Sequence, residues 1–479
     1  MADRPGLPDG LVVVVKQDCA TCRLVEPVLG ELASRSELTV YTQDDPGFPG
    51  GVDPVDDTSL AVSWHHDIET VPSLLRVEAG VETERTVGWH RQRWEALTGI
   101  DALGVDLPDF RPGCGSLSVD PDKVDELRVR FGASTLRSRR VEFAEAEDEV
   151  EAMFDRGWTD GLPVVPPTEA RVMAMLEGTT RAPDEVIASI PPNLAEGTVE
   201  KIAVNAVMAG CRPEYLPFVI AAVEASCSDS FNMHGLLATT YFSGPVIVAN
   251  GPGTTRIGMN SGMNALGQGN RANATIGRAL QLIIRNLGGG APGGVDRATL
   301  GNPGKYTFCF AENEADSPWT SLAAERGFAA DATTVTLFAG EGVRAVVDQL
   351  SRKPESLARS FAASLRSVGS VKLALAFDAM LVVSPEHARV FAEAGWDKDR
   401  LHAELAELLT IPGSDLVRDH DGIQEGLPEG FAGSDIPKFR DGGLLIVHAG
   451  GKAGLFSGII GGWVSGASGS QTTTVEVRT

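Results

Sequence analysis

Cys19 and Cys22 enclose Ala20-Thr21 shortly after the apolar run Leu11 to Val15. Two thiols three residues apart at a strand-to-helix junction have the geometry of reversible dithiol–disulfide chemistry. The first sulfur sits near a helix N-terminus, whose partial positive charge favours a thiolate. The second lies one turn on, close enough to resolve a mixed disulfide. Asp18 raises the Cys19 pKa while the helix dipole and Arg23 lower it, so the sequence leaves the net shift open. Cys114 lies in Arg111-Pro112-Gly113-Cys114-Gly115-Ser116. Between two glycines it has little side-chain cover, and Arg111 favours its thiolate. It reads equally as a mobile thiol relaying electrons from Cys19/Cys22 or as an incidental exposed cysteine. Further on, Cys211 follows Gly210 at a helix end and precedes Arg212, which makes it a candidate nucleophile. Cys227, ending a helix, and Cys309, between two phenylalanines, read as core.

A second group of residues suits binding a small polar molecule. The strand 245–249 runs into Asn250-Gly251-Pro252-Gly253 and a loop containing Asn260 and Asn264, and then a helix opens at Arg271 with Asn273 in its first turn. Backbone N–H groups in such a loop, a helix N-terminus and an arginine favour an anion. The loop is neither a P-loop nor a dinucleotide fingerprint. A second strand, 444–447, leads into His448-Ala449-Gly450-Gly451-Lys452, where backbone donors and a cation again surround a space for a carboxylate or phosphate. Asp160, Asn232 and Asn302 complete the substrate-binding candidates, and His234, Lys305 and Glu312 are the acid–base candidates. Asparagines beside glycines equally suit unusual backbone angles. Eight histidines are scattered without HxH or HExxH, and the CxxC has no second half, so no metal is expected. Trp64-His65-His66-Asp67 reads as a solvated loop. No cofactor is identified beyond a redox-active cysteine pair.

The elements that must position these groups follow from periodicity. After the strand 11–15, apolar residues recur at helical spacing through Ser34. Strands follow at 38–41, 73–78 and 83–87, with a turn at Ala79-Gly80 and a helix from Gln92. Residues 101–142 lose periodicity and read as a linker with one short helix, 122–130. The remainder reads as α/β, with helices at 142–154, 198–209, 213–226, 271–287, 343–350, 354–367, 385–394 and 397–409. Its strands fall at 245–249, 307–311, 333–338, 371–376 and 379–383. Thr168 is a good N-cap after the rigid turn 158–168. The expected organisation is therefore 1–100, a linker 101–142 carrying Cys114, and a large α/β unit 143–479 with a mixed sheet.

At 479 residues the chain has room for two or three domains. A formal charge of −24 argues against nucleic-acid partners and anionic membranes, since phosphates would be repelled. No apolar run has bilayer length, and the first residues lack a secretory pattern, so a soluble cytoplasmic protein is expected. Gly-rich, weakly charged segments in the large unit suggest subunit contacts and a homo-oligomer.

The CxxC after a core strand, followed by Val71-Pro72 before a strand–turn–strand ending in Val87-Gly88, resembles the thioredoxin family over about residues 8–100. The resemblance implies a cis Pro72 facing Cys19. Departures are Asp18 in place of the usual Trp, Ala-Thr in place of Gly-Pro, Val13 in place of the buried acid, and no room for the leading strand and helix. They point to a dedicated redox partner. In the rest, Asp160-Gly161-Leu162-Pro163-Val164-Val165-Pro166-Pro167-Thr168, the run from Ala206 to Tyr215, Arg271 to Arg278 and Asn302-Pro303-Gly304-Lys305-Tyr306 look like the large domain of the UGSC family of (seleno)proteins. That family is named for a selenocysteine-Gly-Ser-Cys motif. The nearest string here is Cys114-Gly115-Ser116-Leu117, without the final cysteine. This second resemblance implies redox or thiol-dependent chemistry.

Together these readings describe a thiol-dependent oxidoreductase. The CxxC unit supplies electrons to a catalytic unit acting on a small polar, anionic substrate, and an external thiol reductant restores the pair. Two alternatives fit the same residues: a non-redox lyase, hydrolase or transferase with a regulatory CxxC, and a redox-sensing ligand-binding protein.

Overall fold

The computed structural model describes residues 5–132, 136–143, 147–464, 466 and 469–478. It divides into two units, Met1–Thr135 and Leu136–Thr479.

The first unit is built on a five-stranded sheet. In chain order it comprises β1 (Gly10–Val15), α1 (Ala20–Ala33), β2 (Leu38–Thr42), β3 (Val55–Asp56), α2 (Ala61–His65), β4 (Thr70–Val71), β5 (Ser73–Glu78), β6 (Val81–Val87), β7 (Trp89–His90), α3 (Arg91–Thr98), β8 (Phe110–Arg111), β9 (Cys114–Gly115) and α4 (Val124–Phe131). The sheet order is β3-β2-β1-β5-β6, with β1 parallel to β2 and antiparallel to β5. Val12 to Val15 are fully buried because the central strand is covered on both faces, which accounts for its unbroken apolar run. α1 buries Cys22, Val25, Val28, Leu29 and Leu32, one stripe of a 3.6-residue period. Val71-Pro72 is a cis peptide.

Residues 101–132 are not a linker. They pack into this unit through two short antiparallel pairs, β7 with β8 and β4 with β9. The turn residues that broke hydrophobic periodicity there are the means by which the chain folds back. Trp64-His65-His66 is likewise no solvated loop: Trp64 and His65 belong to α2, and His66 is buried, with Nε2 2.7 Å from the Pro5 carbonyl.

The second unit contains α5 (Glu149–Asp155), α6 (Glu169–Leu176), β10 (Val186–Ile190), β11 (Ala195–Thr198), α7 (Val199–Ala209), α8 (Leu216–Ser226), α9 (Met233–Ala238), β12 (Gly244–Asn250), α10 (Pro252–Arg256), α11 (Arg271–Asn286), β13 (Cys309–Ala311), α12 (Leu322–Glu325), β14 (Thr334–Val347), α13 (Pro354–Leu365), β15 (Phe377–Val383), α14 (Pro385–Glu393), α15 (Lys398–Leu408), β16 (Thr410–Pro412), α16 (Gly413–Leu416), β17 (Asp435–Pro437), β18 (Leu444–His448), β19 (Phe456–Val464) and β20 (Thr473–Glu476). Its main sheet is mixed and runs β13-β12-β14-β19-β15-β18, with β20 beside β14. That order is a palindrome. In each half a strand (β12 or β15) pairs in parallel with a later one (β13 or β18) and antiparallel with a long one (β14 or β19). The two long strands pair at the centre.

One face of all six strands shares a core that includes Val246, Phe310, Phe338, Met380, Val447 and Ile460. The outer face is covered by α7, α8 and α11 on one half and by α13, α14 and α15 on the other. The two ends of the order meet where the Asn313 N–H donates to the His448 carbonyl over 2.7 Å.

Three expected elements differ. Residues 343–350 are not a helix: β14 continues through Val347, where β-branched valines pair with β19. Residues 371–376 are not a strand, because Lys372 is buried there and donates to the Val417 and His420 carbonyls. In 142–154, α5 starts only at Glu149, capped by Asp148, and 144–146 lie outside the described residues.

Candidate functional site

Cys19 caps α1. Its extended backbone (φ −142°) leaves the sulfur at the helix N-terminus, where it accepts the Cys22 N–H over 3.3 Å. The same sulfur lies 3.6 Å from the Val71 carbonyl, the residue before cis Pro72. The Cys22 and Cys114 thiols both lower its pKa. These donors, led by Cys22 and helped by Cys114 and the backbone N–H groups of Cys22 and Thr21, outweigh burial and bring the Cys19 thiol down to about 5. Burial first, and then the neighbouring Cys19, push the Cys22 thiol far up. Burial and Cys19 also raise Cys114, against the backbone N–H groups of Thr21 and Ala20. All six cysteines are free thiols.

The placement of Cys114 is determined by residues on both sides of it. Thr21, inside the CxxC, donates its hydroxyl to the Pro112 carbonyl over 2.6 Å. A Cβ on Gly113 would stand 2.8 Å from the Val71 carbonyl oxygen, so only glycine passes there. β9 pairs Cys114 with Val71 and Gly115 with Thr70. Beyond it, Ser116 donates its N–H to the Glu69 carbonyl (2.9 Å) and its hydroxyl accepts from Gln43 Nε2 (2.6 Å). Gln43 also donates to the Ser63 hydroxyl (2.8 Å), which donates to the buried Asp57 carboxylate (2.6 Å). Gln43, Asp57, Ser63 and Ser116 were not singled out from sequence. They are dispersed polar residues in loops and on a short helix, and no spacing joins them.

In the second unit the structure brings Asn250, Glu312 and His448 together. Glu312 follows β13 and is 4% exposed. Its carboxyl accepts from Asn250 Nδ2 (2.7 Å), the Leu322 N–H (2.8 Å) and the His448 N–H (3.4 Å). Burial raises its pKa, opposed chiefly by Lys398. His448 Nδ1 lies 2.9 Å from the Asn313 carbonyl, which can only accept. That nitrogen therefore donates, and Nε2 is the other polar atom of the ring. Among the described residues His448 Nε2, Asn250 Oδ1 and Ser384 Oγ are buried without a partner. Ser384 follows β15 as Asn250 ends β12, so two of these atoms occupy corresponding places in the palindromic sheet. The two glycine loops meet here: the Gly450 N–H donates to the Ser261 carbonyl over 2.9 Å.

The other sequence candidates hold structure. Cys211 is not an exposed nucleophile. After the left-handed Gly210 its N–H returns to Ala206, which turns the thiol into the core, and burial pushes it up to about 12. Asp160 forms a paired ion bridge with Arg278 at 2.8 Å through both oxygens. Asn232, Asn270 and Asn302 cap short or long helices. Asn273 binds the backbone of Asn260, whose own carboxamide accepts from Gly262, and Asn264 reaches Gln268. Arg271 donates to the Gly210 carbonyl, Lys305 pairs with Asp296, and Lys452 pairs with Asp316. His234 lies exposed on α9.

An apolar cavity of about 490 Å³ lined by Phe143, Met153, Trp158, Val172 and Met208 lies in the same unit, apart from these groups. Among the described residues no His/Cys/Asp/Glu group forms a metal site, and no single helix is long and apolar enough to cross a membrane.

Comparison with family models, with curated proteins and with solved structures gives no match.

Proposed function

We propose that the chain is a thiol–disulfide oxidoreductase whose exchange pair is Cys19 and Cys22. The observation that carries this is the Cys19 sulfur at the start of α1, where it accepts the Cys22 N–H over 3.3 Å and its pKa is lowered to about 5. A thiolate at neutral pH is the competent nucleophile, and an adjacent buried thiol is the group that resolves the mixed disulfide it forms. Cys19 attacks a disulfide sulfur, Cys22 then attacks Cys19, and two substrate thiols leave. An external thiol reductant returns the pair to the dithiol. The cis Pro72 beside this site agrees with the resemblance to the thioredoxin family, and the resemblance of the large unit to the UGSC family points to thiol chemistry as well.

For the second unit we propose a small polar substrate at Asn250, Glu312 and His448. The supporting observation is a set of buried polar atoms with no protein partner, which a ligand would satisfy. Lys452 and Arg271 are already engaged, so a negative charge on that substrate is not part of the proposal.

The reading is tested by turnover of a small aromatic disulfide with a thiol reductant. Cys19→Ser should fall to the rate of the reductant alone, whereas Cys211→Ser should match the wild type. Full turnover by Cys19→Ser would refute the reading. It would favour a second one, in which Glu312 and His448 carry out acid–base chemistry without redox change. The observation behind that alternative is a buried carboxyl of raised pKa beside an imidazole whose Nε2 is buried without a partner.

A further inference from the structure

Exposure grades across the three clustered sulfurs. Cys114 is part-exposed, Cys19 is 1% exposed and Cys22 is fully buried. Cys19 Sγ accepts the Cys22 N–H and faces the carbonyl of Val71, the residue paired with Cys114, so it stands between the outermost thiol and the innermost. A disulfide arriving from solvent meets Cys114 first, because β9 lies against the Val71 carbonyl to which Cys19 points. Cys114 is also fixed in place, by Thr21 on one side and by Ser116 and Gln43 on the other.

We propose that Cys114 is the substrate-facing thiol of a three-cysteine relay, passing a disulfide inward to Cys19 and then to Cys22. This rests on the exchange reading above and adds where the substrate enters.

Cys114 Sγ attacks one sulfur of R–S–S–R′, its proton passes to the Cys19 thiolate, and R′S⁻ leaves and takes a proton from water. Cys19 Sγ next attacks Cys114 Sγ, forming the Cys19–Cys114 disulfide, and its proton leaves with RS⁻ as RSH. Cys22 Sγ then attacks Cys19 Sγ, forming Cys19–Cys22, and Cys114 departs with the Cys22 proton. Two electrons pass from the Cys19/Cys22 pair to the substrate disulfide, which is the oxidant. The substrate class is a disulfide small or exposed enough to reach Cys114, either in a low-molecular-weight compound or on a protein surface.

Single turnover of the reduced full chain with a small aromatic disulfide, followed by peptide mapping, tests this. Wild type should release two thiols per chain and end as Cys19–Cys22. Cys22→Ser should also release two and end as Cys19–Cys114. Cys19→Ser should release one and retain a stable adduct on Cys114. Cys114→Ser and Cys114→Ala, checked for an unchanged circular dichroism spectrum, should lose the rapid first release. Two thiols released at the wild-type rate by both Cys114 variants, with no Cys114 adduct in Cys19→Ser, would overturn the relay and leave the exchange reading intact. No thiol release by wild type would refute the exchange reading itself.

Discussion

Cys114 is paired in register with Val71, and the Val71 carbonyl is the group that Cys19 Sγ faces at 3.6 Å. A single backbone pairing therefore brings a cysteine distant in sequence against the first cysteine of the CxxC. Gly113 is the residue that permits it, since a side chain there would meet the Val71 oxygen at 2.8 Å.

Gly113→Val should lift this segment. Cys19 would lose one of the donors that hold its thiolate, and its titration should move upward from about 5. Overpacking at a tight backbone crossing should also lower unfolding stability by about 1–3 kcal/mol. Thiolate ultraviolet absorbance against pH reads the first effect and denaturant unfolding the second. An unmoved Cys19 titration would show that Cys114 does not act on it.

The Cys19 shift also has a sign in stability. Its folded pKa, about 5, lies below the ordinary 9.0, so the thiolate is favoured by the fold. The contribution is fully present above pH 9 and is lost as pH falls from 9 through 5. Reduced wild type should accordingly gain stability over that window relative to Cys19→Ser. The difference between their pH–stability curves is the measurement, since titrating groups that do not interact with Cys19 cancel in it. A flat difference would contradict a depressed Cys19.

Asp160, a substrate-binding candidate from sequence, is instead fastened to Arg278 through both carboxylate oxygens. Their side chains are 11% and 15% exposed, and Arg278 also donates to the Leu162 and Pro163 carbonyls. The bridge ties the proline-rich run 160–168 to α11. Removing one partner leaves the other charge poorly compensated, so Asp160→Ala and Arg278→Ala should each cost about 3–5 kcal/mol. If the double variant costs little more than either single one, the pair acts as a unit. Additive losses would contradict that.

The CxxC, its strand and its helix were legible because they rest on local rules: an apolar run, a 3.6-residue stripe and a sulfur at a helix start. The location of Cys114 was not, because β4–β9 is a two-residue pairing between segments more than forty residues apart. The second unit divided along the same line. β12, β15 and β18 are apolar on both faces and read directly as strands. β19 was missed because Gly458, Gly461 and Gly462 resemble loop punctuation. At Gly462 a Cβ would lie 2.7 Å from the Asp378 carbonyl, so there the glycine marks close strand approach. The asparagines misled for a related reason: their carboxamides are consumed by the loops they build.

Glu312 separates a structural carboxyl from a chemical one. Burial lifts its pKa, so its favourable contribution is present below the unfolded value of 4.5 and is lost as pH rises through the folded one. Glu312→Gln removes that dependence and keeps an acceptor for Asn250 and the Leu322 N–H, so it should cost about 1 kcal/mol or less near neutrality. Glu312→Ala leaves the Leu322 and His448 N–H groups without this acceptor, at about 1–3 kcal/mol each. Denaturant unfolding at acid and neutral pH should show Ala well below Gln, and a wild-type minus Gln difference that falls as pH rises. Equal losses for the two variants would mean that Glu312 fills space without serving as an acceptor. With Gln stable, its effect on turnover of any substrate found for the second unit reports the carboxyl proton alone.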